Sequence, residues 1–388
     1  MNLLFVTARF PYPPLKGDKI ISYQRLKYFS KKHKITLLSF SDSNDDKNYI
    51  EEVSKYCQEI HIVPLKKSES YLNLITKGLI SNEPLQILYY QSKAFHRKID
   101  ELLKKNNYDL VHGFMLRISP YILWQAKCPK IIEFIDSMEL NMYRQACLEK
   151  GFKKWLFRKE AKRLALYEKK TASKFDCTIV VSEIDKNAIG GNNLKVAPLG
   201  VDTDVFKPKN IDKEDGLIVF TGNMKYFPNE KAVIYFSIHI FPLIKEKMPN
   251  AKFWIIGKGA SRRVRRLEND SIKVLGFVDC MADYINRALV SVASMESGSG
   301  MQFKILEAMA CGVPVVATTG AGGGIKLNEG DGLFLADRPD IFADKVVNVM
   351  IDKDLQERIS QRAPQAIKDK YSWEASNLVI EEIYRTIY

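Results

Sequence analysis

Short apolar runs alternate with helix-like stretches along this chain. In the first half, the runs predict strands at residues 3–8, 35–40, 59–65, 110–114, 130–135 and 177–182. Between the first two runs, Ile20, Ile21, Leu26 and Phe29 recur at a helical spacing. Strands that alternate with helices favour the α/β class, in which a parallel sheet is covered by helices on both faces.

The alternation is interrupted between residues 196 and 208 and then resumes. Pro198, Gly200 and Pro208 stand in this extended segment and indicate a connection between domains. The second series of apolar runs predicts strands at residues 217–221, 252–257, 272–278, 289–293, 313–318 and 333–336. Since 388 residues are also too many for one ordinary core, we predict two doubly wound domains, 1–200 and 201–371, and an amphipathic helix at 372–388.

The bulk composition adds few constraints. Apolar residues make up 46% of the chain and the mean hydropathy is −0.20. No apolar run reaches the roughly 18 residues that a membrane-spanning helix needs. The N-terminal apolar run has no basic region before it, so we interpret it as a first strand and not as a signal peptide. The six cysteines are scattered without metal-binding or redox spacing, which is typical of a reduced, cytoplasmic protein.

The formal net charge of +13 is concentrated in one segment. Residues 150–174 hold ten Lys or Arg against two Glu, a local charge of +8, which leaves +5 elsewhere. On a helix, these cations and the neighbouring Phe152 and Trp155 would suit an anionic bilayer, so we expect peripheral contact with the inner face of the plasma membrane. The alternative is a surface helix that packs Ala161 and Leu164 inward. We expect no nucleic-acid binding, because no aromatic stacking module accompanies the charge.

The stretch from residue 295 to 318 carries the clearest chemistry. Gly298 and Gly300 follow an apolar run, and the residues after them predict a short helix. A glycine-rich turn into a helix N-terminus gathers free N–H groups and a partial positive charge, which suits phosphate. Lys304 adds a cation, and Glu307 lies one turn further on, where a carboxylate can accept hydrogen bonds from sugar hydroxyls. The alternative is a plain crossover whose glycines only allow tight packing.

This segment resembles the donor-nucleotide motif of the family four glycosyltransferases, which have the GT-B fold. Many members carry two glutamates separated by seven residues, the second within a Leu-Glu-Ala-Met-Ala helix. Glu307 matches the second glutamate, and Ser299 stands at the place of the first, which usually contacts the sugar. The spacing of Gly300, Gln302, Lys304 and Glu307 is similar to that of a subgroup found in bacterial surface-polysaccharide pathways.

The resemblance covers nearly the whole chain and implies a function. It implies two Rossmann-like domains that face a cleft, with the helix at 372–388 packed back on the first domain. It implies transfer of a sugar from a nucleotide-diphosphate donor to a glycan or lipid-linked acceptor, with retention of anomeric configuration. Glu307 would hold the ribose, while Gly300, Gln302 and Lys304 would bind the donor, with Lys304 at the diphosphate. We expect no obligatory metal and no other cofactor.

Four more residues become candidates for donor binding. Gly17 follows three prolines in the loop after the first predicted strand, where open α/β sheets bind ligands, and the resemblance makes it a glycine that approaches the diphosphate. The alternative is an ordinary proline-rich loop. In the second domain, the resemblance makes Gly222 a close-approach glycine and Lys225 a cation for the diphosphate. Phe277 lies in a turn that resembles the one contacting the base.

The candidates for acceptor binding follow two strands of the first domain. His112 ends the strand at 110–114, and its imidazole can bind an acceptor hydroxyl or accept a proton. The alternative is a histidine hydrogen-bonded beside the core. Arg117 would hold an anionic acceptor or cap a helix. Asp136 follows the next strand, where relatives often place an Asp near the acceptor, although a helix N-cap is the commoner role for Asp.

The predicted mechanism is stabilisation of the leaving group. Gly17, Gly300 and Lys304 would neutralise the charge that develops on the diphosphate, while His112 and Asp136 would orient the acceptor. Two other functions stay open from the sequence. One is a GT-B enzyme that forms a free sugar or an isomer, such as an epimerase or a phosphorylase-like protein. The other is a degenerate scaffold that only binds membrane or RNA.

Overall fold

The apolar runs fold into two parallel sheets. The computed structural model describes residues 1–78, 80–125, 127–295, 301–327 and 329–388. These divide into two units, one formed by Met1–Pro198 with Asn377–Tyr388 and the other by Leu199–Ser376. Within these residues, no helix combines the length and the apolar composition needed to cross a bilayer.

Seven strands form the sheet of the first unit in the part of the chain that is described. They are β1 (Asn2–Thr7), β2 (Lys34–Ser41), β3 (Glu59–Pro64), β4 (Leu110–Phe114), β5 (Lys130–Ile135), β6 (Cys177–Val180) and β7 (Leu194–Val196). Their order is β3-β2-β1-β4-β5-β6-β7, and all neighbours are parallel. The central strands β1 and β4 are buried on both faces, as expected for a parallel sheet between helices.

The helices of the first unit connect these strands. They are α1 (Gly17–Phe29), α2 (Ile50–Ser54), α3 (Lys67–Lys77), α4 (Leu85–Tyr89), α5 (Lys93–Lys105), α6 (Ser119–Gln125), α7 (Met138–Leu148), α8 (Gly151–Ala172) and α9 (Glu183–Ile189). On one side of the sheet, aromatic residues of α5 and α6 pack against β2. The rings of Phe40 and Phe95 stack with centroids 3.9 Å apart, and Tyr121 lies 4.7 Å from Phe95.

The second unit repeats the architecture with six described strands. They are β8 (Leu217–Thr221), β9 (Lys252–Ile256), β10 (Ile272–Gly276), β11 (Val290–Ala293), β12 (Val315–Ala317) and β13 (Leu333–Leu335), in the order β10-β9-β8-β11-β12-β13. The helices are α10 (Phe227–Tyr235), α11 (Phe241–Lys247), α12 (Arg262–Arg265), α13 (Met281–Arg287), α14 (Phe303–Ala310), α15 (Thr319–Gly322), α16 (Pro339–Ile351) and α17 (Lys353–Tyr371). A π-helical turn, Phe236–Ile240, joins α10 to α11.

The last helix, α18 (Trp373–Ile387), begins in the second unit and ends in the first. In the second unit, Trp373 packs so closely on Gly200 that a Cβ there would lie 2.4 Å from the indole ring. In the first unit, Tyr384 is fully buried, and its ring centroid lies 4.9 Å from that of Phe29.

The predicted fold class is confirmed. All twelve predicted strands are present, and their ends differ by at most two residues from the observed ends. Strand β7 was missed because it has only three residues, with the exposed Lys195 in the middle. An isolated run that short carries no recognisable alternation of apolar and polar positions.

Candidate functional site

The strand order of the second sheet predicts a ligand-binding site at the loops after β8 and β11. Strand β8 lies between β9 and β11, so the chain leaves it in one direction and later returns on its other side. Ligands of open α/β sheets bind where the strand order reverses in this way, at the carboxyl ends of the strands. Here the loop after β8 begins with Gly222, and the segment after β11 leads to α14, which carries Lys304 and Glu307.

Gly222 lies against the amine of Lys304. Its φ of +153° is unusual for residues with a side chain. A Cβ on Gly222 would lie 2.7 Å from Asn229 Nδ2 and 3.2 Å from Lys304 Nζ. Gly257, on the adjacent strand end, approaches so closely that its own Cβ would be 1.8 Å from the Gly222 carbonyl oxygen. Small residues at both strand ends therefore leave room for the amine to reach this edge of the sheet.

Lys304 is buried, with only 7% of the residue exposed, and its amine contacts three neighbouring side chains. Its Nζ donates a hydrogen bond to Asn229 Oδ1 at 2.6 Å and lies 3.6 Å from Met295 Sδ. The same atom stands 3.9 Å from the centroid of the Phe220 ring, a cation–π distance. Burial lowers the pKa of Lys304 to about 7, although the Glu307 charge opposes this shift. The three groups around this amine are all neutral, so a bound anion would favour its protonated form.

Glu307 lies one helical turn after Lys304 and is partly exposed. Burial raises its pKa to about 7, and the Lys304 charge opposes the shift. Perturbed ionisable groups at a strand-end crevice are a physical signature of functional sites. Together, a buried cation, a carboxylate and a close-approach glycine can bind an anionic group and adjacent hydroxyls.

The other donor candidates have different surroundings. Lys225 is exposed on the turn after Gly222, and its backbone N–H donates a hydrogen bond to Asn223 Oδ1 at 3.0 Å. Phe277 is 69% exposed at the end of β10. Gln302 is the N-cap residue of α14, and its carbonyl accepts from Ile305 N–H at 3.1 Å. These donor assignments stay predictions.

Two predicted positions lie outside the described residues. They are Gly300, the proposed diphosphate contact, and Ser299, which replaces the first glutamate. In the first unit, Gly17 is the exposed first residue of α1. The neighbouring Asp18 accepts a hydrogen bond from Arg9 Nη1 at 2.8 Å.

His112 lies within the core of the first unit and is fully buried. Its Nδ1 contacts the hydroxyl of Tyr384, and its Nε2 lies 3.1 Å from Glu133 Oε1. Glu133 in turn pairs with Arg25, whose Nε lies 3.2 Å from Oε1, and Arg25 Nη1 donates to Asn377 Oδ1 at 2.7 Å. The structure thus favours the alternative interpretation of His112, a core residue that helps to attach α18.

Asp136 is differently placed, at the carboxyl end of β5. The preceding Ile135 has φ +74°, a strained value for a β-branched residue that turns the chain at this point. The N-cap of α7 is Ser137, whose hydroxyl accepts from Leu140 N–H at 3.2 Å, so capping does not occupy Asp136. Asn141 Nδ2 donates to Asp136 Oδ2 at 2.8 Å, and burial raises the pKa of Asp136.

Two buried carboxylates that the sequence interpretation missed support this turn. Glu168 of α8 accepts from Met138 N–H at 2.6 Å and from Ser137 Oγ at 3.0 Å. Asp185 accepts from Ser137 N–H at 2.9 Å. Burial raises the pKa of Glu168 to about 8 and that of Asp185 to about 6. For Glu168, the signal in the sequence was an acidic residue on the inward-facing side of the basic helix α8.

Arg117 follows β4 by three residues, after Met115, which also has a positive φ of 79°. Its Nε donates to Gln86 Oε1 at 3.1 Å, and its guanidinium lies 5.3 Å from the centre of the Tyr90 ring. Its charge also contributes to lowering the pKa of Asp136, against the larger effect of burial. Asp136 and Arg117 therefore lie in one region of the first unit, at the carboxyl ends of neighbouring strands.

Two neighbours of Lys304 were also missed as site residues, Asn229 and Phe220. Asn229 is one helical turn into the element after β8, seven residues beyond Gly222, and a polar residue there could have indicated a role. Phe220 could not be distinguished from an ordinary core residue.

In the described part of the chain, no three His, Cys, Asp or Glu side chains are grouped to hold a metal ion.

The family comparison matches the unit that carries Lys304. Residues 215–352 match the family described as Glycosyl transferases group 1. This match begins just before β8 and includes Gly222, Asn229 and all of α14. It confirms the family resemblance.

Known relatives extend the similarity beyond this segment. An uncharacterized 44.6 kDa protein in the cps region of Klebsiella pneumoniae is 23% identical over 405 residues, covering 99% of each chain. The putative glycosyltransferase EpsD of Bacillus subtilis is 25% identical over 281 residues, covering 63% of this chain and 68% of EpsD. Among solved structures, Anabaena HepE in complex with UDP has a TM-score of 0.71 at 14% identity, with all of both chains covered. This last likeness supports the fold.

Proposed function

We propose that the protein transfers a sugar from a nucleotide-diphosphate donor. Residues 215–352 belong to the group 1 glycosyl transferases, and the whole chain has the GT-B fold. The proposed acceptor is a glycan or a lipid-linked glycan in bacterial surface-polysaccharide synthesis, and the proposed transfer retains anomeric configuration. The observation that carries the proposal is the buried Lys304 amine at the strand-order reversal, beside Gly222 and Glu307.

Lys304 suits the leaving group of this reaction. When the bond between the sugar and the diphosphate breaks, negative charge develops on the diphosphate oxygen. A cation fixed by Asn229 and Phe220 stabilises that charge without having to reorganise. A diphosphate near Nζ also favours the protonated amine, which reverses the lowering of its pKa by burial. In this proposal Gly222 leaves space for the phosphate, and Glu307 accepts hydrogen bonds from the ribose.

The acceptor would be oriented by the first unit. Asp136 keeps a carboxylate that no helix cap occupies, and Ile135, Glu168 and Asp185 fix the turn that carries it. Burial raises the pKa of Asp136, and a carboxylate at this position is suited to accept a hydrogen bond from a hydroxyl group. We assign acceptor orientation to Asp136, with Arg117 beside it. His112 contributes by positioning α18.

The relatives support the proposed biological setting. The similarity to the Klebsiella pneumoniae protein spans 99% of both chains, and that protein lies in a cps region. The similarity to EpsD adds a second bacterial relative described as a glycosyltransferase. A role in assembling surface polysaccharide is the proposal that fits both.

A partner membrane is also part of the proposal. Along α8, Phe152 and Trp155 are 74% and 53% exposed, and their rings stack with centroids 5.5 Å apart. Lys159 Nζ lies 5.2 Å from the centre of the Trp155 ring. Exposed aromatic rings among lysines are suited to the interface of an anionic bilayer. We therefore propose that α8 docks the protein on the inner face of the plasma membrane.

Calorimetry with a panel of UDP-, GDP- and ADP-sugars tests the proposed donor class. We expect at least one nucleotide sugar to bind, and the nucleotide to be released when an acceptor is supplied. Binding with formation of an isomer or of a free sugar, and no transfer, would favour the epimerase or phosphorylase-like alternative. If no member of the panel binds, the protein is not a nucleotide-sugar enzyme.

A further inference from the structure

A cavity of about 210 Å³ lies within the first unit, between α3, the start of α5 and the start of α6. It includes Arg117, which the proposed function places at the acceptor, but not Asp136. Pockets for drug-sized ligands begin at about 300 Å³. This cavity is therefore of a size to hold one sugar residue or a similarly small group, and not a whole oligosaccharide.

The floor of the cavity is aromatic and rigid. Tyr121 and Tyr90 are 2% and 5% exposed. The Tyr121 hydroxyl donates to the Tyr90 carbonyl and accepts from Ser92 N–H at 2.8 Å. The His96 ring lies 4.6 Å from the Tyr121 ring, and burial lowers the pKa of His96. These rings are almost wholly covered by their neighbours and give the cavity a rigid, apolar floor.

The walls of the cavity carry an excess of positive charge. Lys77, Lys93 and Arg117 line it, against the single carboxylate of Glu69. Arg117 is fixed by Gln86 and by its position over the Tyr90 ring, as described above. Lys77 Nζ donates to Gln91 Oε1 at 2.8 Å, and Lys93 extends from the start of α5 with an exposed side chain. The carboxylate of Glu69 accepts from the backbone N–H of Lys93 at 3.5 Å, and its negative charge offsets part of the positive charge of the walls.

Amide groups complete the lining. Asn73 Nδ2 donates to the Gln91 carbonyl at 3.0 Å, and Gln91 Nε2 donates to Glu83 Oε2 at 2.9 Å. These bonds fix the two amides. An amide oxygen has two lone pairs, so Gln91 Oε1, which accepts from Lys77 Nζ, can also accept from one hydroxyl group. An apolar floor, fixed amides and a cationic wall correspond to the three parts of an acidic sugar: its C–H face, its hydroxyls and its anionic substituent.

We propose that this cavity binds an acidic sugar residue of the acceptor, one that carries a carboxylate or a phosphate. The inference rests on the proposed function, because it takes the first unit to be the acceptor side of a glycosyltransferase. It adds a chemical class for the acceptor, a negatively charged glycan. Arg117 and Lys93 hold the anionic group, and Tyr121 and Tyr90 form the floor of the cavity.

The test is a ligand-observed NMR titration of the full-length protein with three probes. They are the methyl glycoside of glucuronic acid, glucose 6-phosphate and methyl glucoside, which is neutral. We expect at least one acidic probe to bind tenfold or more tightly than methyl glucoside. The two acidic probes distinguish carboxylate from phosphate recognition. Titrations are repeated in Lys304→Met, so that phosphate bound at the second unit is not counted.

Variants locate the binding. Lys93→Gln and Arg117→Gln should each weaken the acidic probe about tenfold, the effect of losing one charge-assisted hydrogen bond. Arg97→Gln is the matched control, because Arg97 is an exposed cation of the same helix α5 and does not line the cavity. Lys93 is exposed, so its variant should fold even if that of Arg117 does not.

Three results would overturn the inference: no binding of any probe, equal binding of the neutral and acidic probes, or acid binding that neither variant weakens. Failure of the proposed function would look different. It would appear as the absence of nucleotide-sugar binding in the wild-type protein, which is measured separately from binding of the acidic probes.

Discussion

The ionisation of Lys304 and Glu307 shows how burial prepares one pair of side chains for an anion. Burial brings the pKa of Lys304 down to about 7 and that of Glu307 up to about 7. Both groups therefore lose a proton as the pH rises through neutrality, and each loss makes the site less positive. The two shifts act in the same direction on anion binding.

A pH titration of nucleotide affinity follows from this. Between about pH 7.5 and 9.5, we expect the Kd of a nucleoside diphosphate to rise with pH, by up to tenfold per unit for each proton that binding takes up. Calorimetry at several pH values gives this slope, and Lys304→Met should reduce it by the share that Lys304 contributes. A wild-type affinity that stays constant across this range would contradict the account of the site.

Gly222 makes a steric prediction. In Gly222→Ala, the new Cβ would lie 2.7 Å from Asn229 Nδ2 and 3.2 Å from Lys304 Nζ, so the amine must move. We expect nucleotide-sugar affinity to fall at least tenfold, with a backbone cost of about 1–3 kcal/mol in unfolding free energy. Gly190→Ala is the control, because Gly190 also has a positive φ, +69°, but nothing lies within 4 Å of its Cβ position. Equal effects of the two substitutions on nucleotide-sugar affinity would show that the contact with Lys304 is unimportant.

For individual residues, the sequence predicts the site residues that lie next to a local motif. It does not predict those whose position depends on contacts with residues distant in the chain. Lys304 and Glu307 lie on one short helix that follows the glycines of the motif in the sequence, so their spacing identified them. Asn229 joins the site only because β8 and β11 are adjacent in the sheet. His112 is buried by Tyr384, a residue 272 positions away, and no local pattern could reveal that contact.

Among the elements, α18 depends on a buried polar network in the first unit. Burial would raise the pKa of Glu133, but the Arg25 charge and the hydrogen bonds of His112 and Arg25 lower it to about 2. A carboxylate whose folded pKa is depressed stabilises the fold above its unfolded value of 4.5, and that contribution is lost as the pH falls toward 2. Glu133 thus contributes to stability throughout the neutral range.

Glu133→Gln should therefore destabilise the first unit by about 3–5 kcal/mol, because the Arg25 charge then lacks its carboxylate in a buried site. Chemical denaturation at pH 7 measures this loss, and the difference from wild type should shrink as the pH falls from 4.5 toward 2. Glu381→Gln on α18 is a milder comparison, because its partner Lys32 is 46% exposed. A neutral effect of Glu133→Gln would refute the structural role given to His112 and its neighbours.

The helices also show where sequence patterns stop being informative. The strands and their order of appearance were predictable from apolar runs, because every central strand is buried on both faces. Helix α8 was recognisable by its charge, but its inward side includes Glu160 and Glu168. These glutamates accept N–H bonds from the starts of α4 and α7, which a count of apolar positions cannot predict.

For the molecule as a whole, the uneven charge leads to a membrane prediction. Vesicles that contain phosphatidylglycerol should bind the protein, and vesicles of phosphatidylcholine alone should not. The double variant Phe152→Ser/Trp155→Ser should weaken binding about tenfold or more, because two apolar rings no longer leave water. Vesicle flotation measures this. Tyr388→Ser is the control, since Tyr388 is equally exposed at 70% but lies outside α8. Binding that ignores anionic lipid would remove the docking proposal.

The central claim is that a nucleotide-diphosphate sugar binds at the Gly222–Lys304 site of the second unit. The most direct measurement compares the affinity of the best nucleotide sugar of the UDP, GDP and ADP panel for wild type, Lys304→Met and Lys353→Met. Lys353 is an exposed lysine of α17 away from the site. We predict that Lys304→Met weakens binding and lowers the rate of transfer about a hundredfold, while Lys353→Met changes neither. Affinity and turnover near wild-type values in Lys304→Met would contradict the account.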